Sequence, residues 1–129
     1  MKKEELINFW FESAENDLDT MRLLYKNKKN TWSLFIGHLV VEKLLKGLII
    51  RNNSDVLVVP KIHNLILLSQ KAKLVVPNKI KEKIQVINTF NISARYDDYK
   101  KTFEEKCTDS YTKNQINNIE EVVKWLKEQ

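Results

Sequence analysis

Residues that interrupt helices are scarce in this sequence. Its 129 residues include only two glycines and two prolines, at positions 37, 47, 60 and 77. So few glycines and prolines argue against a turn-rich β architecture and for long helices with few connections. The length corresponds to one domain with a sizeable core. We therefore predict a single domain over residues 1–129, built as an all-α bundle of about five helices.

Cysteine and histidine are also rare. Cys107 is the single cysteine, which excludes an intramolecular disulfide and favours a reducing, cytoplasmic location. Two histidines, His38 and His63, are too few for a His-rich metal site. The sequence also lacks a glycine-rich phosphate loop, a nucleophile elbow and an uncharged apolar run that could span a membrane. We expect no metal, no cofactor and no membrane association.

Apolar residues recur at three- and four-residue spacing along most of the chain, which is typical of amphipathic helices. We predict five helices with these approximate bounds: 3–26, 32–52, 63–74, 79–91, and from a capping box at 112–115 to near the C-terminus. The mixed aromatic and charged stretch 91–111 is predicted to be a long connection, and connections of this length are often functional.

The second predicted helix is apolar on most sides but contains His38, Glu42, Lys43 and Lys46. Successive helical residues turn by about 100°, so His38, Glu42 and Lys46 form one stripe while Lys43 points to the side. One interpretation is a solvated face with a modestly stabilising Glu42–Lys46 pair. The other is a polar stripe that belongs to a functional site.

Two glycines inside the same helix, Gly37 and Gly47, each cost about 1 kcal/mol relative to alanine. We expect both to mark a close approach by a neighbouring helix or a partner subunit. In the first helix, Asp17 interrupts the apolar stripe and is predicted to lie at its margin.

Positive charge is concentrated in the middle of the chain. The net charge of the protein is +5, and residues 54–101 alone carry +5. Most of the cations are lysines, which usually solvate a surface. Only Arg22, Arg51 and Arg95 offer the planar fork that suits bidentate contact with a phosphate.

The polar residues follow an ordered pattern along almost the whole chain. The pattern consists of Ala14-x-x-Asp17, Phe35-x-x-His38-x-x-x-Glu42-Lys43-x-x-Lys46, His63-Asn64-Leu65-x-x-Leu68 and Ala94-Arg95-Tyr96-x-Asp98. In order and separation these motifs resemble the HEPN domain family, named for nucleotide binding in higher eukaryotes and prokaryotes. The resemblance implies an up-and-down helical bundle, commonly a homodimer. It also implies a partner, because prokaryotic members are often encoded beside a minimal nucleotidyltransferase as a toxin–antitoxin-like system.

The residues of this pattern support a binding site for a nucleotide or an RNA end. Lys43, Lys46 and Arg95 are candidates for phosphate contacts, and Tyr96 for stacking on a base. His63 is predicted near the first turn of a helix, where backbone amides favour anions. Glu42 and Asp98 are candidates for orienting these cations. Each residue also has a structural alternative, such as an Arg95 ion pair with Glu42 or Asp98.

Two other functions remain open from the sequence. Many members of the family that this sequence resembles are ribonucleases, which place an Arg about one helical turn before a catalytic His. Neither Arg22 nor Arg95 precedes a histidine in this way, and Arg51 reaches His63 only across a loop. A metal-independent ribonuclease would therefore have a displaced or degenerate Arg/His site with His63 as its base, so we rank binding ahead of catalysis. A purely structural dimeric scaffold is the second alternative. Tyr96 and Tyr99 are open as acceptors of a transferred nucleotide.

Overall fold

The computed structural model describes residues 2–55 and 58–129 of the chain. These residues form six α-helices and no strand. The helices are α1 (Lys3–Lys26), α2 (Asn30–Asn52), α3 (Leu65–Lys71), α4 (Asn78–Ser93), α5 (Asp97–Lys106) and α6 (Asp109–Lys127). The all-α prediction is confirmed, with one helix more than expected.

The central element of the bundle is α2, which contacts each of the other five helices. It is apolar around most of its circumference, so it buries residues on all sides, whereas α1 and α6 bury one face each. The two glycines allow this packing. A Cβ at Gly37 would overlap Ile119 of α6, and a Cβ at Gly47 would lie 2.5 Å from the Phe11 ring of α1. Close approach by neighbouring helices is therefore confirmed as the reason for both glycines.

The bounds of α1 and α4 lie within two residues of the prediction, but α3 is shorter than expected. It begins after His63, because Asn64 caps it, and it ends at Lys71. Two residues later, Lys73 adopts a left-handed backbone with φ of 59°, and the Leu74 amide turns back to the carbonyl of Ser69. This turn ends the helix before Leu74.

The predicted long connection at 91–111 is wrong, because it contains α5. Asp97 and Asp98 in the first turn and Lys106 in the last turn complement the helix dipole. Only Phe103 of α5 is buried, against Phe90 of α4, with ring centroids 5.6 Å apart. Tyr99 and Phe103 are the only apolar or aromatic residues among the ten of α5, too few for the spacing to reveal a helix.

The last helix is capped four residues earlier than predicted, at Thr108 and not at Thr112. Thr108 is its cap, and its Oγ1 accepts a hydrogen bond from the Tyr111 amide at 3.2 Å. Thr112 is instead buried inside the helix. Within the described residues, no helix is both long enough and apolar enough to cross a membrane.

Candidate functional site

Glu42 lies at the centre of a buried polar cluster. Its Oε1 accepts a hydrogen bond from His63 Nδ1 at 2.9 Å, and its Oε2 accepts one from Lys46 Nζ at 3.0 Å. The side chains of Glu42 and Lys46 are only 6% and 8% exposed. A buried carboxylate is costly unless it is paired and hydrogen-bonded, and these two contacts meet that requirement. The predicted stripe is therefore buried, and its interpretation as a solvated face is wrong, although the Glu42–Lys46 pair exists.

The side chain of His38 extends this cluster and is fully buried. Its Nε2 lies 3.1 Å from the carbonyl oxygen of His63. Because a carbonyl only accepts, Nε2 carries the hydrogen and donates it. Nδ1 then holds a lone pair, lies 3.8 Å from Glu42 Oε1 and has no hydrogen-bond partner among the described residues.

Burial lowers the pKa of His38 to about 4, and the negative charge of Glu42 opposes this only in part. His38 is thus neutral at pH 7 and holds the backbone of His63 against α2. The sequence placed His38 on the stripe but assigned it no role. Its spacing of four residues from Glu42 was the signal that could have found it.

His63 is the exposed member of the cluster, with 54% of its side chain accessible. The carboxylate of Glu42 can only accept, so Nδ1 of His63 carries a hydrogen. Nε2 is then left on the other side of the ring for a ligand or a proton. The expectation that Glu42 orients His63 is consistent with this contact.

The first turn of α3 does not provide the anion site expected from the position of His63. Its amides already have acceptors within the protein. The amide of Leu65 donates to Asn88 Oδ1 at 2.8 Å, and the amides of Ile66 and Leu67 donate to Asn64 Oδ1 at 3.0 and 3.1 Å. The expectation of backbone amides for an anion is therefore wrong. These bonds instead fix the backbone next to His63.

Arg95 lies just after α4, within electrostatic range of the cluster. Its Nε donates to the carbonyl of Asn91 at 3.3 Å, and its guanidinium carbon lies 5.6 Å from the ring centroid of Phe35. Its positive charge contributes to the lowered pKa of His38. No carboxylate in residues 2–55 and 58–129 forms an ion pair with Arg95. The guanidinium thus lies against an aromatic ring, and it has no carboxylate partner among the described residues.

Further aromatic and cationic side chains surround Arg95, and we call them the aromatic–cation strip. It comprises Trp32, Phe35, Arg95, Tyr96 and Lys100. The Trp32 and Phe35 rings meet edge to face at 5.7 Å, Lys100 Nζ lies 5.5 Å from the Trp32 centroid, and the Arg95 guanidinium lies 5.9 Å from the Tyr96 centroid. Tyr96 is 53% exposed and Trp32 41% exposed. Aromatic faces interleaved with cations form a surface that suits unpaired bases and phosphates.

Two predicted site residues lie apart from this arrangement. Lys43 Nζ lies 2.6 Å from Asp17 Oδ2 and 2.8 Å from Ser13 Oγ, both on α1. Asp98 is exposed in the first turn of α5, and no hydrogen bond or ion pair among the described residues connects it to Arg95. The fold therefore brings together His63, Glu42 and Lys46, with Arg95 and Tyr96 nearby. In the described part of the chain, no three His, Cys, Asp or Glu side chains are arranged to hold a metal ion.

Comparisons with known proteins identify the family. The profile described as HEPN domain matches residues 7–129. The crystal structure of TT1696 from Thermus thermophilus is similar to this chain, with a TM-score of 0.79, 20% sequence identity and coverage of 95% of this chain and 96% of that chain. At this identity the likeness shows the fold alone. No curated protein matches the sequence.

Proposed function

The chain belongs to the HEPN domain family, and from its polar site we propose that it binds a nucleotide or the end of an RNA strand as the partner subunit of a minimal nucleotidyltransferase. The observation that supports this most is that two exposed side chains, His63 and Arg95, are each held in place by a neighbouring residue. Glu42 holds the ring of His63, and Phe35 holds the guanidinium of Arg95.

The phosphate would be bound by His63 and Arg95. Arg95 supplies a forked donor that no carboxylate of the described residues occupies, and such a fork makes charge-assisted bidentate bonds to phosphate oxygens. His63 adds a donor at Nε2 when it is protonated. Lys46 contributes indirectly, because its ammonium balances the charge of Glu42. Lys43 and Asp98 have no part in this arrangement.

The base would stack on the aromatic–cation strip. Tyr96 and Trp32 are the exposed aromatic faces of the strip. Stacking of one base on an aromatic side chain contributes about 1–3 kcal/mol. A strip with two exposed rings favours an RNA end with unpaired bases, although a mononucleotide can occupy the part around Tyr96 and Arg95.

Titration calorimetry with ATP and GTP tests the binding proposal. We expect heat of binding for the natural protein and its loss in Arg95→Ala. Arg22→Ala is the matched control, because Arg22 pairs with Glu120 on the α1–α6 side of the bundle and its removal deletes the same charge. No heat with ATP and none with GTP would contradict the proposal. An equal loss of binding heat in Arg95→Ala and Arg22→Ala would also contradict it.

The partner and the oligomeric state are tested separately. We propose a homodimer in complex with the nucleotidyltransferase as a toxin–antitoxin-like pair. Co-expression with a minimal nucleotidyltransferase encoded beside this chain should give a complex that co-purifies, and light scattering of the chain alone should give twice its mass of 15.3 kDa. Separate elution of the two proteins would contradict the proposal that the nucleotidyltransferase is the partner. Co-purification without nucleotide binding would favour the structural scaffold.

A metal-independent ribonuclease is a second candidate because of the Glu42–His63 contact. A carboxylate that fixes Nδ1 leaves Nε2 of the exposed ring as a candidate general base or acid. Purified protein should then cleave RNA in the presence of a metal chelator, and His63→Ala should abolish the cleavage. Cleavage that survives in His63→Ala would exclude His63 as the base.

A further inference from the structure

A separate cleft lies on the Lys46 side of Glu42, between α1 and the segment that precedes α3. Leu6 and Trp10 of α1 line one wall, residues 58–61 line the other, and Lys46 of α2 also contributes. The cleft has a volume of about 290 Å³. This is near the lower end of the size range of ligand pockets, so it fits a small molecule.

The charge of the cleft is positive. Its described lining includes two lysines, Lys46 and Lys61, and no carboxylate. Glu42 balances only one of these charges, through Lys46. An ammonium has three N–H donors, and within the described residues Lys46 donates to a single acceptor, Glu42, while its Nζ lies 5.5 Å from the Trp10 centroid. The cleft therefore offers an anion a buried donor and a second cation at position 61.

The remaining lining is apolar. The side chains of Leu6, Val59 and Pro60 and the indole of Trp10 surround the two lysines. Inorganic phosphate alone would leave these walls uncovered. A ligand that matches both parts carries one anionic group for Lys46 and a flat apolar body for the walls.

We propose that this cleft binds a small monocarboxylate with a flat apolar body. The carboxylate accepts a charge-assisted hydrogen bond from Lys46 and lies near Lys61, and the body lies along Trp10 and Pro60. The site uses neither Arg95 nor Nε2 of His63, so it does not depend on nucleotide binding. Both sites share Glu42, which contacts Lys46 through one oxygen and His63 through the other.

Nitrogen-15 NMR with benzoate tests this site, and neutral benzamide of the same shape is the control. The protein has three tryptophans, of which only Trp10 lines the cleft. We expect millimolar benzoate to shift the indole signal of Trp10 in a saturable way and to leave those of Trp32 and Trp125 in place. Benzamide and inorganic phosphate should have little effect. Equal shifts with benzoate and benzamide, or no shift of Trp10 with benzoate, would overturn the proposal.

Two variants locate the anion. Lys46→Met keeps the apolar stem and removes the donor, so benzoate affinity should fall at least about tenfold, which corresponds to one hydrogen bond to a charged group. If Lys46→Met does not fold, Lys61→Ala serves instead, because Lys61 is exposed and its loss should weaken binding severalfold. Lys101→Ala, an exposed lysine on α5, is the matched control and should bind as the natural protein does. Unchanged affinity in Lys61→Ala and in a folded Lys46→Met would overturn the assignment.

Discussion

Two lysines of α2 lie only three residues apart, and each forms an ion pair, but the two pairs differ in their surroundings. Lys43 pairs with Asp17 of α1, and their side chains are 24% and 22% exposed. Lys46 pairs with Glu42 of its own helix, and both side chains are almost fully buried. The first pair links two helices at the margin of the bundle. The second holds a carboxylate that also accepts a bond from His63. A charged residue of a central helix thus indicates a candidate site most clearly when its buried partner also contacts a residue outside the helix, as Glu42 contacts His63.

The largest difference between the two pairs should appear on removal of the carboxylate. Glu42→Ala leaves the ammonium of Lys46 buried without a counter-charge, so we expect a loss of about 3–5 kcal/mol in the free energy of unfolding. Urea denaturation measures this loss. A loss below about 1 kcal/mol would mean that Lys46 reaches solvent and that the pair resembles the Lys43–Asp17 pair.

A double variant is the control for this interpretation. Glu42→Leu with Lys46→Met replaces both charges by apolar side chains of similar size, and such replacements of buried pairs are often close to neutral. The double variant should therefore recover most of the stability that Glu42→Ala loses. If it is as unstable as Glu42→Ala, the cost comes from lost packing or from His63 and not from an unpaired charge.

The second prediction concerns pH, because the same cluster buries His38 as a neutral ring. Its pKa is about 4 in the folded protein and 6.5 in the unfolded chain. Between these values the unfolded chain binds more protons, so stability is fully present above pH 6.5 and falls as the pH is lowered towards 4. The difference corresponds to about 3 kcal/mol.

Urea denaturation at a series of pH values measures this dependence. In His38→Gln the part of the slope that belongs to His38 should disappear, so the stability difference between the natural protein and the variant should shrink as the pH falls. His63→Gln, which changes an exposed ring, is the matched control and should keep the slope. If the unfolding free energy of His38→Gln depends on pH as strongly as that of the natural protein, other groups cause the dependence.

The third prediction concerns the outer pair. Asp17→Ala leaves Lys43 partly exposed and still hydrogen-bonded to Ser13. Solvent can then stabilise the ammonium, so we expect a cost of no more than about 1 kcal/mol. The same urea experiment measures it. A cost equal to that of Glu42→Ala would remove the contrast between the two pairs.

The smallest effect is expected from salt. Raising the ionic strength from about 0.1 M to about 1 M shortens the screening length from about 10 Å to about 3 Å. The cost of Asp17→Ala should therefore decrease at high salt, while that of Glu42→Ala should stay nearly constant because the buried pair is little screened. Equal salt dependence of the two costs would contradict the difference in burial.

Much of the fold could be predicted from local pattern, because α1 and α4 carry apolar periodicity and α2 is a long run that is apolar on most sides. The helix at 97–106 could not, since Phe103 is its only buried residue. The polar stripe on α2 was also predictable, as was a possible role for Glu42 beside His63. Whether the stripe faces solvent depends on the residues that pack over it. On the Lys46 side these include Trp10 and Pro60, which are distant in sequence, so local pattern could not predict the burial. Spacing did place Lys43 to the side of the stripe, but its pairing with Asp17 depends on how α1 packs against α2.

The hydrogen bond from the Leu65 amide to Asn88 has a consequence for folding. It connects the start of the seven-residue α3 to α4, across 23 residues of sequence. So short a helix has little stability of its own, and its first turn depends on the docking of α4. We therefore expect His63 to reach its position late in folding, and α3 to open locally while the α1–α2 pair stays folded. Hydrogen exchange at the Leu65 amide would report directly on how often the His63 side of the site comes apart.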